Sequence, residues 1–251
     1  MPTTSPEEVL EFWFGDAPQD EHELMAGIVR WFRGGDAFDR EVVRRFAVAV
    51  DAAVRGGFEG WQSTPRGRLA LVILLDQLTR NIHRGSPRTY AGDARAQALA
   101  LEAFADGSAG ELGFVEQVFL SLPLLHSESL AHQEREAEIA RMLAAKAPAL
   151  FEPMAAMLLE QSAKFRAVVA RFGRFPHRNA LLGRMSTPEE IVFLMDWDAK
   201  RPPAGMPDPV STADRTETAT GGATAAPRPA APSGKSDAAR RFLGATRRAS
   251  P

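Results

Sequence analysis

The 251-residue chain contains no cysteine. That absence excludes disulfides, thiolate catalysis and cysteine-ligated zinc or iron–sulfur sites together. It also lacks any window approaching the roughly 20 apolar residues of a membrane span, and its start, MPTTSPEEVLEFWF, carries acids where a signal peptide has a basic region. A cytoplasmic protein that does not engage membranes is expected. Charge of one sign is missing too: the formal net charge is −2. From residue 201 onward eight basic residues face four acids, so that stretch carries +4 and the first two hundred residues about −6. A mildly acidic body with a basic tail is not the footprint of a nucleic-acid binder.

Other absences narrow the chemistry. There is no glycine-rich phosphate loop and no dinucleotide fingerprint, so no cofactor is expected. The five histidines (22, 83, 126, 132 and 177) include no i,i+4 helical pair, so no metal is expected. No nucleophile-elbow glycine pattern surrounds a serine. No stretch alternates apolar and polar residues with β-branched enrichment, and no strand is assigned.

What is present reads as helix. Ser5-Pro6-Glu7-Glu8 and Thr187-Pro188-Glu189-Glu190 are start signals, with a capping hydroxyl, proline at the first position and glutamate at the third. Between them, helical spacing of apolar residues covers a run around Leu24 and Trp31, then roughly 36–55, 65–82, 93–106, 111–122, 127–146 and 148–171. The expected fold is all-α, antiparallel helix pairs in one domain spanning 1–198. Residues 199–251 are expected to form a disordered tail, because Pro, Ala, Gly, Ser and Thr dominate there and no core offsets the cost of ordering. Within it DAARRFLGATRR (237–248) reads as one basic helical turn around Phe242 and Leu243, either a docking segment or idle.

Three segments carry the polar chemistry. In RLALVILLDQLTRNIHRG, Asp76 and Arg80 are i,i+4 on an otherwise apolar central helix, with Gln77 and Asn81 beside them and Arg84 just beyond. In SLPLLHSESLAHQ, His126, Ser127 and Glu128 turn one helix into the next, with Ser127 placed as N-cap. A Ser–His–acid triad there is disfavoured, because sequence neighbours need not face one another. In RFGRFPHRNALLGR (171–184), Arg174, His177, Arg178 and Asn179 crowd beside Phe172 and Phe175, which belong in a core. A half-buried guanidinium needs a carboxylate, a carbonyl or an anionic ligand.

These segments, with EFWFGD (11–16), LDQLTRNIHRGSPRTYAGD (75–93), LPLLHSESLAHQE (122–134) and RFGRFPHRNALLGRMSTPEE (171–190), resemble the bacterial family known only as domain of unknown function 924. The resemblance spans essentially residues 5–196 and implies a tetratricopeptide-like helical superfamily fold. It implies no activity. Where the family is expected to carry a histidine ahead of the FGRFP turn, this chain has Phe165. If that histidine were a base, its loss would remove it; if it only packs, phenylalanine suits.

Three functional readings follow. A binder would hold an anionic small molecule or peptide with Asp76, Gln77, Arg80, Asn81, Arg84, His126, Glu128, Arg174, His177, Arg178 and Asn179, with Trp13, Trp31, Phe32 and Trp61 as walls if they are not core. An enzyme, a hydrolase or transferase on an anionic substrate, would use His126 or His177 as acid/base with Asp76 or Glu128 as orienting carboxylate. A structural clasp would pair these acids and arginines among themselves with no ligand. Under each reading the three segments converge. Whether the chain is an enzyme, and its oligomeric state, stay open.

Overall fold

The computed structural model describes residues 4–33 and 35–199; the expected tail lies outside them except for Ala199, which ends the last helix. Nine helices follow one another among these residues, with no strand. They are α1 (Pro6–Phe14), α2 (Glu21–Arg33) and α3 (Asp36–Val54), then α4, which runs Pro65–Val72, passes through a π turn at Ile73–Leu78 and finishes at Thr79–Ile82. After it come α5 (Asp93–Asp106), α6 (Phe114–Leu125), α7 (Leu130–Ala145), α8 (Glu152–Phe172) and α9 (Pro188–Ala199).

The caps explain where the helices begin and end. The Ser5 hydroxyl accepts from the Glu8 backbone N–H at 3.1 Å, and Gly15 closes α1 with a left-handed φ of 61°. At α9, Thr187 Oγ1 accepts from Glu190 N at 3.2 Å while the Glu190 carboxylate accepts from Thr187 N at 2.8 Å, a reciprocal capping box. Several expected boundaries moved by a few residues. Pro123 does not end α6, which continues to Leu125 with the proline in its last turn. Ser127 is not the N-cap of α7; Ser129 holds that position, and Ser127 Oγ accepts from its backbone N–H at 3.2 Å.

Helix α4 is the centre. Every residue from Leu69 to Thr79 is buried, and α1, α3, α5 and α6 pack around it. An apolar circumference forces this position, since no single face can be turned to water. The π turn was not visible in the sequence. Thr79 Oγ1 donates to the Leu74 carbonyl at 2.7 Å, five residues back, serving a carbonyl in the widened turn. Gly92, just before α5, lets that backbone approach the same turn: a Cβ on it would collide with the Leu75 carbonyl oxygen. Asp93 is thereby brought against α4.

The aromatic residues weighed as groove walls mostly belong to the core. Trp13 and Trp31 are buried and meet Phe119 edge-on, with ring centroids 5.7 and 5.1 Å away, and the Trp31 indole donates to the Trp13 carbonyl at 2.8 Å. Phe32 stacks on the same Phe119, while half-buried Trp61 packs on Phe58. Phe165 is fully buried, edge-on to Phe175 at 5.5 Å and near Trp197 at 6.4 Å, so its surroundings are those of a packing residue.

Candidate functional site

Asp76 sits in the π turn with no exposed surface and is surrounded by donors. Arg80 Nη1 lies 2.8 Å from its Oδ1, Gln77 Nε2 donates to Oδ2 at 2.6 Å, and His126 Nδ1 lies 2.9 and 3.0 Å from the two oxygens. Burial alone would raise the carboxyl's pKa; the Arg80 charge and the contacts with His126 and Gln77 outweigh it and hold it at about 2. His126 is buried as well, and burial depresses its pKa despite the neighbouring carboxylate. The pair therefore rests as ionised Asp76 and neutral imidazole. Nδ1–H then donates to the carboxylate, and Nε2 has no hydrogen-bond partner among the described residues.

The network extends outward through two residues that the sequence reading did not single out. Arg80 Nη2 lies 3.0 Å from Asp93 Oδ1, and the other oxygen of Asp93 is 3.8 Å from Arg178 Nη1. Burial raises the Asp93 carboxyl above its ordinary value. Arg178, 4% exposed, donates from Nη2 to the His126 carbonyl at 2.8 Å. Its guanidinium lies between the rings of Tyr90, at 4.5 Å, and Phe175, at 4.7 Å. Tyr90 and Asp93 stand in the RTYAGD stretch, so their motif was visible although their role was not.

A second layer closes over the first. Arg184 forms a two-pronged pair with Glu128 at 2.7 and 2.9 Å, and the Phe175 backbone N–H donates to Glu128 at 2.8 Å. Those partners outweigh partial burial and keep Glu128 below its ordinary pKa. Arg174 forks onto Glu190 at 2.7 and 2.8 Å, and that hydrogen-bonded pairing is the main reason Glu190 is held at about 2. Asn179 joins the two pairs, donating to Glu190 at 3.1 Å and accepting from Arg184 Nε at 3.0 Å.

Asp76, Gln77, Arg80, His126, Glu128, Arg174, Arg178 and Asn179 are thus brought together in these two layers. Asn81, Arg84 and His177 have other partners. Asn81 and Arg84 both engage Asp39 of α3, at 2.8 Å and at 2.9 and 3.1 Å. His177 lies flat against Trp197, 5.6 Å between centroids and 9° between planes. Ser127 faces neither His126 nor Glu128; its hydroxyl, His132 Nδ1 and Gln97 Oε1 form a triangle with edges of 2.9 to 3.2 Å. No triad of 126, 127 and 128 exists. Among the described residues no group of three or more metal-ligating side chains is assembled, and no helix is long and apolar enough to cross a membrane.

Fold and site together define an all-helical protein built around a buried Asp–His–Arg network. Residues 9–197 match the family model described as bacterial protein of unknown function (DUF924), and the chain belongs to that family. It is similar to the solved structure of a protein of unknown function from Agrobacterium tumefaciens, with 34% identity and a TM-score of 0.63 over 76% of this chain and 97% of that one. No curated protein matches.

Proposed function

We propose that the protein binds a small anionic molecule, a carboxylate or phosphoryl compound, through Arg178. The observation carrying this reading is the incomplete pairing of that buried guanidinium. Among the described residues its single hydrogen bond goes to a neutral carbonyl, Nε has no hydrogen-bond partner, and the nearest carboxylate oxygen is 3.8 Å off. A planar fork held between two rings and left with spare donors suits two-point recognition of an anion. The outer pairs, Glu128–Arg184 and Arg174–Glu190, are matched two prongs to two oxygens and act as the clasp holding the loop that presents Arg178.

The test is isothermal titration of the full chain with acetate, malonate and phosphate, followed by soaking the bound anion into crystals. Expected is saturable binding with the anion on Arg178, lost in Arg178→Met. Absence of binding at millimolar anion, or binding indifferent to Arg178→Met, would establish the whole network as a clasp. One observation favours acid–base chemistry as a second reading: the unpartnered Nε2 of His126, whose opposite nitrogen is fixed by Asp76. That reading requires a bound anion within hydrogen-bond reach of Nε2, and a soaked anion lying beyond it would leave binding without catalysis.

A further inference from the structure

A groove of about 760 Å³ runs along α1, away from the Asp76 network, between that helix and the starts of α4 and α6. Its walls are aromatic. Phe14 meets Trp31 edge-on at 6.2 Å on one side, and Phe114 stacks on Phe151 at 5.3 Å on the other. Its rim is acidic. Arg66 is neutralised by Glu116 at 2.7 Å, whereas Glu7, Glu11 and Asp16 are exposed and their carboxylates make no ion pair or hydrogen bond among the described residues. Several acids elsewhere, Asp39, Asp51, Asp106 and Glu190 among them, form ion pairs with arginines.

We infer that this groove docks a basic peptide segment of a partner protein, with a bulky apolar side chain between the aromatic walls and flanking Arg or Lys on the acidic rim. The spacing selects a peptide over a small cation. Glu7 and Glu11 are roughly 6 Å apart along α1 at 1.5 Å per residue, Asp16 lies past the helix end at Gly15, and no three acids here cluster around a common point among the described residues, as one small cation would need. Glu7 and Glu11 stand one turn apart beside Phe14, so successive basic residues of an extended or helical segment meet successive acids while an aromatic or leucine side chain enters below. Charge complementarity of this kind governs encounter and specificity. The sequence DAARRFLGATRR, found at 237–248 of this chain, has the required chemistry and supplies a probe.

The experiment is fluorescence anisotropy of a labelled synthetic DAARRFLGATRR peptide titrated with the full chain, alongside sedimentation of the chain alone. Saturable binding is expected, weakened about tenfold or more by Glu7→Gln with Glu11→Gln, by a peptide whose phenylalanine is serine, and by raised salt. Both substitutions are at exposed positions, and the wild-type salt series gives an independent readout if the double variant misfolds. No saturation at millimolar chain, or binding insensitive to both the double variant and salt, would overturn the inference. So would a self-associated chain that the double variant renders monomeric and the peptide does not displace, which would give the groove to a second copy.

Discussion

The imidazole Nδ1 of His126 lies 2.9 and 3.0 Å from the two carboxylate oxygens of Asp76, fifty positions earlier in the chain. The contact joins the widened turn of the central helix to the turn between α6 and α7. Because Arg80 holds the same carboxylate, one buried acid fixes both a cation and a neutral ring. Such an acid is expensive to bury and more expensive to remove, since its partners stay behind.

Asp76→Asn should therefore destabilise the fold by about 3–5 kcal/mol, the usual cost of breaking a buried ion pair from one side. The double variant Asp76→Leu with Arg80→Met should cost much less than the sum of its singles, because it removes both charges. Urea denaturation of the four proteins measures the cycle. Additive losses would show that the two groups do not depend on each other.

Gly92→Ala tests the backbone approach that brings Asp93 to Arg80. Its added methyl would meet the Leu75 carbonyl, which as main chain cannot swing away. A loss of about 1–3 kcal/mol in urea denaturation is expected from overpacking. Unchanged stability would mean that the π turn yields freely.

Much of this arrangement was legible in the sequence, for a local reason. Caps at Ser5 and Thr187 and the apolar circumference of α4 depend on neighbours within a few residues, and polar groups on a core helix require partners. The choice of partner is not local. Arg174 takes Glu190, and Arg84 and Asn81 take Asp39, because of distances set by packing. Asp93 stood in the sequence only as the first residue of a helix, and Ser127 as a cap that Ser129 proved to be. The π turn is likewise a product of what surrounds Leu74 to Thr79.

Glu136 on α7 gives a pH dependence of definite sign. Its carboxyl is fully buried, and neither oxygen has a hydrogen-bond partner among the described residues. Burial pushes its pKa up to about 7, opposed only in part by nearby Ser162 and the charge of Arg141. An acid whose folded pKa exceeds its unfolded value of 4.5 keeps its proton in the native state alone between the two. Stability from this group is thus fully present below 4.5 and lost as pH rises to about 7, by up to about 3 kcal/mol. Glu136→Gln should match the wild type at pH 4.5 and exceed it in urea stability at pH 8. An equal difference at both would refute the assignment.

His126 works with the opposite sign. Burial lowers its pKa from 6.5, so as pH falls through that value the unfolded chain takes up a proton that the native ring refuses, and stability declines. The same argument fixes its tautomer. A neutral ring can donate from one nitrogen only, and the ionised Asp76 beside Nδ1 accepts the proton there, leaving Nε2 as a bare base. Nitrogen-15 NMR of the imidazoles at pH 7 should show His126 protonated at Nδ1 and unprotonated at Nε2, and the ring should stay neutral as pH falls into the range where an exposed histidine titrates. In Asp76→Asn the preference for the Nδ1–H form should weaken. A ring found doubly protonated at pH 7 would contradict both the burial argument and the acid–base reading, because an imidazolium has no lone pair with which to take a proton.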